Sequence, residues 1–282
     1  MTEYAHPESI VETQWLEDHL QDEGIRIVEV DVDIGTYVSA HVLGAIQWDR
    51  MSHLNPTEQR DILDVEQMQR LLGESGVRPD TRVILYGDYT NRFASYAFWQ
   101  MKIYGHPHVS VLNGGREKWL AEGRPVATDL PAFQPAEYIA RQADTSLRAY
   151  RDQVLRAAMS EESIAVVDVR SPAEYSGEAL ADRDLPRESS QREGHIPGAV
   201  NLPCEMAFDA SDGTFKPVDE LRSMCASIGV TGDREIITYC RVGERSSLSW
   251  FVLTQVLGYE NVRNYDGSWL EYSGLIGAPI ER

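Results

Sequence analysis

The sequence predicts an α/β protein in which one fold occurs twice, in tandem. Three observations carry this. The stretches "AHVLGAIQWD" from Ala40 and "GHIPGAVNLP" from Gly194 share the order His, x, x, Gly, Ala, apolar, so His41 aligns with His195 and Gly44 with Gly198, each pair 154 residues apart. Further on, "VILYGDYTNR" at Val83 matches "IITYCRVGER" at Ile236, and "YGHPHVSVLNGG" matches "LGYENVRNYDGS", at a separation of 153. A near-constant offset over about 75 residues marks an internal duplication. Finally, 282 residues with 42% hydrophobic composition suffice for two ordinary cores.

In chain order, the opening "MTEYAHPESIVETQW" has neither the basic n-region nor the apolar h-region of a signal peptide. No stretch approaches the roughly 18 consecutive apolar residues of a membrane span, so a cytoplasmic protein is expected. The first copy is placed at 8–126. The stretch "RPVATDLPAFQPAEYIARQADTSLRAY", with three prolines and little periodicity, reads as a linker, placed at 127–149. The second copy then occupies 150–282. In it, "SIAVVDV" and "EIITY" are short, rich in Val and Ile, and bounded by charges, as buried parallel strands are. Asp31 to His41 spans ten positions where Arg170 to His195 spans 25, so the second copy carries an insert, "SGEALADRDLPRESSQ", whose polarity predicts a surface loop. "SSLSWFVLTQVLG" puts Leu248, Phe251, Val252 and Val256 on one helical stripe and stops at Gly258.

The formal net charge of -19 argues against nucleic acid or an anionic membrane as partner, since either rewards a basic face. Cys204, Cys225 and Cys240 are odd in number and widely spaced, which suits neither a disulfide framework nor a CxxC zinc site. Reduced thiols are expected.

Cys240 stands apart from the other two. It ends an apolar run, is followed by "RVGER", and precedes a helix expected to begin near Ser246. A strand, a tight loop and a helix N-terminus would surround the sulfur with backbone N–H groups, and the helix dipole favours an anion there. Gly243 lets the loop turn where a side chain would resist. Arg241 and Arg245 add positive charge, an arrangement that favours the nucleophilic thiolate. The alternative is that Cys240 is a small buried core residue, as free cysteines often are.

Together, the tandem copies, "DVRSPAEYSG", "GHIPGAVNLP", "CRVGERSS" and "NYDGSW" resemble the rhodanese superfamily, specifically the two-domain bacterial thiosulfate sulfurtransferases. The resemblance implies two rhodanese-like domains, each a central parallel sheet flanked by helices, with the active site in the second domain and a cysteine persulfide intermediate. It implies Cys240 as the sulfur acceptor, Arg241, Val242, Gly243, Glu244 and Arg245 as its anion-binding loop, and Arg170 as an arginine that reaches the substrate's anionic group. Arg170 could instead serve a structural ion pair. His195 resembles a motif histidine of architectural role and Asp266 a loop-orienting residue, while Cys204 and Cys225 match no family site. Thiosulfate is the implied donor. Cyanide, a cellular thiol or a thioredoxin-like protein would be the acceptor, and the chemistry requires no metal or organic cofactor.

In the first copy Gly87 occupies the cysteine position, Asp88 that of Arg241 and Arg92 that of Arg245. That domain is expected to be catalytically silent. Three rival functions share parts of the pattern. Cysteine phosphatases and arsenate reductases use a longer C-x5-R loop, whereas Cys240 and Arg245 give C-x4-R. Relatives that prefer 3-mercaptopyruvate resemble one another in a Cys-Gly-Ser/Thr-Gly-Val-Thr loop, to which Arg241 and Val242 do not conform. A non-catalytic sulfur carrier would share every loop feature and differ only in turnover.

Overall fold

The computed structural model describes residues 3–56, 58–159, 164–179 and 192–282. Most of the predicted polar insert, 180–191, lies outside the described residues. The chain divides into two compact units: His6–Asp144 with Phe208–Phe215, and Thr145–Ala207 with Lys216–Arg282 and Met1–Ala5.

In the first unit, strands β1 (Ile10–Val11), β2 (Ile25–Asp31), β3 (Ile46–Asp49), β4 (Arg82–Tyr86) and β5 (Val109–Leu112) form a parallel sheet in the order β1-β5-β4-β2-β3. In the second, β6 (Ile164–Asp168), β7 (Val200–Asn201), β8 (Glu235–Tyr239) and β9 (Val262–Asn264) run parallel in the order β9-β8-β6-β7. The second sheet therefore repeats the first without its edge strand β1. Strands covered on both faces read as continuous apolar runs, and Val83 to Tyr86 are accordingly sealed from solvent.

The helices that matter below are α1 (Val65–Glu74), α2 (Asp88–Ile103), α3 (Gly115–Ala121), α4 (Arg151–Ala158), α5 (Pro172–Ser176), α6 (Val218–Ser227), α7 (Glu244–Phe251) and α8 (Ser268–Gly274). The predicted start of α7 near Ser246 is corrected to Glu244. Gly243 caps it from the left-handed region, which pulls Glu244 and Arg245 out of the loop and into the first helical turn. Beyond Phe251 the chain continues through a π-helical turn, Val252–Val256, and Gly258 adopts a positive φ where the helical stripe was expected to stop. No helix among the described residues is long and apolar enough to cross a membrane.

The duplication extends to individual side chains. Glu29 pairs with Tyr86 across β2 and β4, and Asp168 with Tyr239 across β6 and β8, so the two carboxylates occupy one structural position. In each unit the tyrosine hydroxyl donates to that carboxylate and accepts a backbone N–H, from Val42 at 2.9 Å or Ile196 at 3.1 Å. His41 and His195 each stack on a tyrosine, Tyr37 or Tyr175, and donate through Nδ1 to that tyrosine's own carbonyl. Their rings are held by packing and a local hydrogen bond.

The expected linker is not a free tether. Ala136 N–H donates to Gly73 O, Arg141 N–H to Tyr104 O and Asp144 N–H to Ile103 O. Tyr138 places its hydroxyl 2.9 Å from His106 Nδ1. Over most of this proline-bearing stretch there is no regular structure, as proline disfavours helix, and a single 3-10 turn, Thr145–Leu147, comes near its end. The stretch lacks periodicity because its backbone, rather than one regular apolar face, makes these contacts. At its far end Ala149 N–H donates to Asn264 O within the second unit.

Candidate active site

Strand β8 delivers Cys240 at its end, and α7 leaves from Gly243 three residues later. Gly243 sits at φ 111°, a conformation that residues with a side chain resist, and a Cβ there would lie 3.0 Å from Asp266 Cβ and 3.1 Å from Asp266 Cα. Its carbonyl accepts from Ser246 Oγ at 3.0 Å and Ser247 Oγ at 2.8 Å, and Asn264 Nδ2 in turn donates to Ser247 Oγ at 2.8 Å. With its carbonyl gripped this way, the Gly243 N–H donates to Cys240 Sγ at 3.1 Å.

Two hydroxyls complete the shell. Ser246 Oγ lies 3.6 Å from Sγ, and Ser268 Oγ 3.9 Å. Each carries one proton and has a nearer acceptor, Gly243 O at 3.0 Å or Tyr265 O at 2.8 Å, so the Gly243 N–H is the firmer bond to sulfur. Ser268 also accepts the Cys240 N–H at 3.0 Å, and does so from a left-handed backbone, φ 54°. At the start of α8, the N–H groups of Trp269 and Leu270 donate to the carbonyls of Cys240 and Arg241, both at 3.0 Å. Asp266, expected to orient the loop, abuts Gly243 and is clamped by Arg148 Nε and Nη2 at 2.7 and 2.9 Å.

The loop residues differ in what they present. Cys240, Arg241, Gly243, Glu244 and Arg245 are buried, and Val242 is half-buried. Arg245 donates through Nη1 and Nη2 to both oxygens of Glu174, at 2.7 and 2.8 Å, a bidentate pair between side chains almost wholly out of solvent. Burial opposes the Arg245 charge, but the Glu174 hydrogen bonds, with attraction to Cys240, Glu174 and Cys204, hold its pKa well above the ordinary value. Burial likewise works against the Glu174 charge, yet Arg245 keeps that carboxyl below the usual range.

Arg170 forms the structural ion pair that was its alternative role: its Nε and Nη2 donate to Asp168 at 2.9 and 2.6 Å, Nη2 also meets Gly194 O at 2.8 Å, and the guanidinium lies 4.5 Å from the centre of the Trp269 ring. A charge that is 1% exposed needs such partners, and Asp168, two residues earlier on the same strand end, supplies them. Glu174 and Ser268 were not singled out from the sequence. The Ser171-x-x-Glu174 capping box is a visible signal for Glu174, because its side chain returns to the Ser171 N–H at 3.1 Å. No local pattern announces Ser268.

The other cysteines are packed. Cys225 is buried in α6, and burial pushes its thiol up to about 11. Cys204 is buried as well. In the first unit the position equivalent to Cys240 is Gly87, where a Cβ would lie 2.4 Å from Val30 O, so a cysteine does not fit there without a backbone shift. Tyr89, Thr90 and Asn91 that follow are left-handed, and Asp88 donates its N–H to Asp31 Oδ1 while its carboxylate lies 3.4 Å from Arg116 Nε.

A profile of the rhodanese-like domain matches residues 12–122 and again 152–275. The chain belongs to the rhodanese family. Both rhodanese-like domains thus coincide with the two parallel sheets. Among the relatives, the sulfur carrier protein TtuD of Thermus thermophilus is 47% identical over 283 residues, covering 99% of this chain and 98% of the relative. Rhodaneses of Mycobacterium tuberculosis and Haloferax volcanii, provisionally named thiosulfate sulfurtransferases, are each 46% identical, covering 98% and 97% of this chain and 99% and 96% of their own. Among solved structures, an anaerobic ergothioneine biosynthesis enzyme from Chlorobium limicola superposes with a TM-score of 0.86 at 23% identity, over 100% of this chain and 72% of that one. At that identity the likeness concerns the rhodanese fold.

Proposed function

We propose that this rhodanese carries sulfane sulfur as a persulfide on Cys240, taking it from thiosulfate and passing it to a thiophile such as cyanide or a thiol. The observation that carries the reading is the Gly243 N–H at 3.1 Å from Cys240 Sγ, at the head of a helix whose first turn bears Arg245. A thiolate in that setting is a nucleophile held by a fixed donor.

In the first half-reaction the Cys240 thiolate attacks the outer sulfur of thiosulfate. A Cys240 S–S bond forms, the donor's S–S bond breaks, and sulfite leaves with its electron pair. In the second, cyanide attacks the outer sulfur of the persulfide, releasing thiocyanate and restoring the thiolate. The Gly243 N–H and the α7 dipole favour negative charge on sulfur at each stage. Arg241 is the loop cation assigned to the leaving sulfite.

One observation favours a second reading, that of a sulfur carrier like the Thermus relative's name. Arg170 and Arg245 are each matched by a buried carboxylate, so the site holds less uncompensated positive charge for a dianionic donor than three arginines suggest. Turnover separates the two readings. Thiosulfate and cyanide should yield thiocyanate over many cycles, and mass spectrometry after thiosulfate alone should show one added sulfur that disappears in Cys240→Ser. Loading without turnover would favour the carrier. Sulfur retained on Cys204 or Cys225 in Cys240→Ser would sink both.

A further inference from the structure

We infer that Glu174 is a positioning residue that sets how much of the Arg245 charge reaches the Cys240 sulfur, and thereby divides the work between accepting sulfur and releasing it. This rests on the sulfurtransferase reading of Cys240. Both Nη groups of Arg245 bind the two Glu174 oxygens, and Glu174 Oε2 also takes the Ser171 N–H and hydroxyl, each at 3.1 Å. Neither side chain can wander: they are 6% and 1% exposed. Arg245 is thus fixed in the first turn of α7, the helix whose head holds Sγ through the Gly243 N–H. One buried carboxylate balances one buried cation.

Other polar and titratable groups lie on the elements around the sulfur: Arg241 and Glu244 on its own loop and helix, Cys204, which interacts with Arg245, on the segment Cys204–Ala207, Asp266 with its partner Arg148 on the turn before α8, and Ser268, 3.9 Å from Sγ, on α8 itself. Glu174 is locked onto Arg245, a cation that interacts with Cys240. Removing its charge and keeping its shape should leave Arg245 less compensated. The sulfur then becomes a more stable anion, hence a weaker nucleophile and a better leaving group. The two half-reactions should move in opposite directions, which a general loss of structure would not produce.

The experiment compares wild type, Glu174→Gln, Glu174→Asp and Arg245→Gln. The pH dependence of Cys240 alkylation by iodoacetamide, read on the Cys240 peptide by mass spectrometry, needs no sulfur donor, so it stands even if thiosulfate proves not to be the substrate. Glu174→Gln should lower the midpoint by about one pH unit, Glu174→Asp should restore it, and Arg245→Gln should raise it. In single turnover at a pH above both alkylation midpoints, Glu174→Gln should slow loading from thiosulfate about threefold and speed discharge to cyanide about threefold, from a Brønsted slope near 0.4–0.5. Should Glu174→Gln not fold, the upward shift in Arg245→Gln decides. An unmoved alkylation midpoint in the folded variants, or both half-reactions slowing together, would overturn the inference.

Discussion

Asp31 offers a test of how the first domain tolerates its buried carboxylates. It is 2% exposed, accepts the Asp88 N–H through Oδ1, and leaves Oδ2 without a hydrogen-bond partner. Burial raises its pKa from 3.8 to about 8, with the Asp88 N–H opposing and the charges of Asp88 and Glu29 adding to the rise. The folded state therefore holds a proton that the unfolded state releases. Stability conferred by the neutral form is fully present below pH 3.8 and is lost as pH rises toward 8, at about 1.4 kcal/mol per unit. By pH 7 the loss amounts to about 4 kcal/mol, a large fraction of a domain's stability. Asp31→Asn keeps an acceptor for the Asp88 N–H and removes the titration, so it should stabilise this domain by about 2–4 kcal/mol at pH 7 and by little near pH 4. Hydrogen exchange on peptides covering Arg82–Tyr86, corrected for intrinsic rate at each pH, reads that domain selectively. A variant-minus-wild-type difference that is flat with pH, or that shrinks as pH rises, refutes the reasoning.

Further outcomes follow from the same geometry. On the acid side, His106 is buried between Thr81 O and the Tyr138 hydroxyl with its pKa lowered to about 4 by burial, so protonation favours the unfolded chain; its own contribution falls from pH 6.5 to 4, against the gain from Asp31, and His106→Gln should become more stable relative to wild type across that window in the same exchange measurement. Gly243→Ala must carry a positive φ and a Cβ 3.0 Å from Asp266 Cβ; it should cost about 1–3 kcal/mol and slow persulfide formation at least about tenfold in stopped-flow loading, and a fully active variant would contradict the role given to the Gly243 N–H. Arg241→Gly should lower kcat/KM for thiosulfate about ten- to hundredfold relative to 3-mercaptopyruvate, the range a charge-assisted hydrogen bond made to one donor allows; an unchanged ratio removes Arg241 from donor selection.

Much of the fold and of the site is legible in the sequence. The duplication showed because an offset near 153 persists from the His-x-x-Gly turn to the "NGG" and "DGS" turns, and the nucleophile showed because a cysteine, a glycine and two arginines adjoin a helical stripe. What stayed hidden depends on which buried groups meet in space. Arg170 lies at a strand end in either reading, and its direction was fixed by Asp168 two residues back and by the Trp269 ring, 99 positions on. Glu174 and Arg245 are 71 residues apart, so neither announces the other. Glu244 and Arg245 read as loop because they are charged, yet a left-handed glycine before them is enough to begin the helix.

The twin carboxylates Glu29 and Asp168 receive their cations from different places. In the second unit the arginine is Arg170, two residues beyond Asp168, and it lies over Trp269. In the first unit the position two beyond Glu29 is Asp31, and the cation is Arg116, whose partner at the 153-residue offset is Trp269. The two halves have therefore ceased to be interchangeable parts. A chimera that moved strand β6 and its following arginine into the first half would bring two buried guanidiniums to one carboxylate, while the reciprocal graft would bury Glu and Asp over a tryptophan with no cation. A segment exchanged between the halves would therefore keep its charge balance only if its partner residue moved with it.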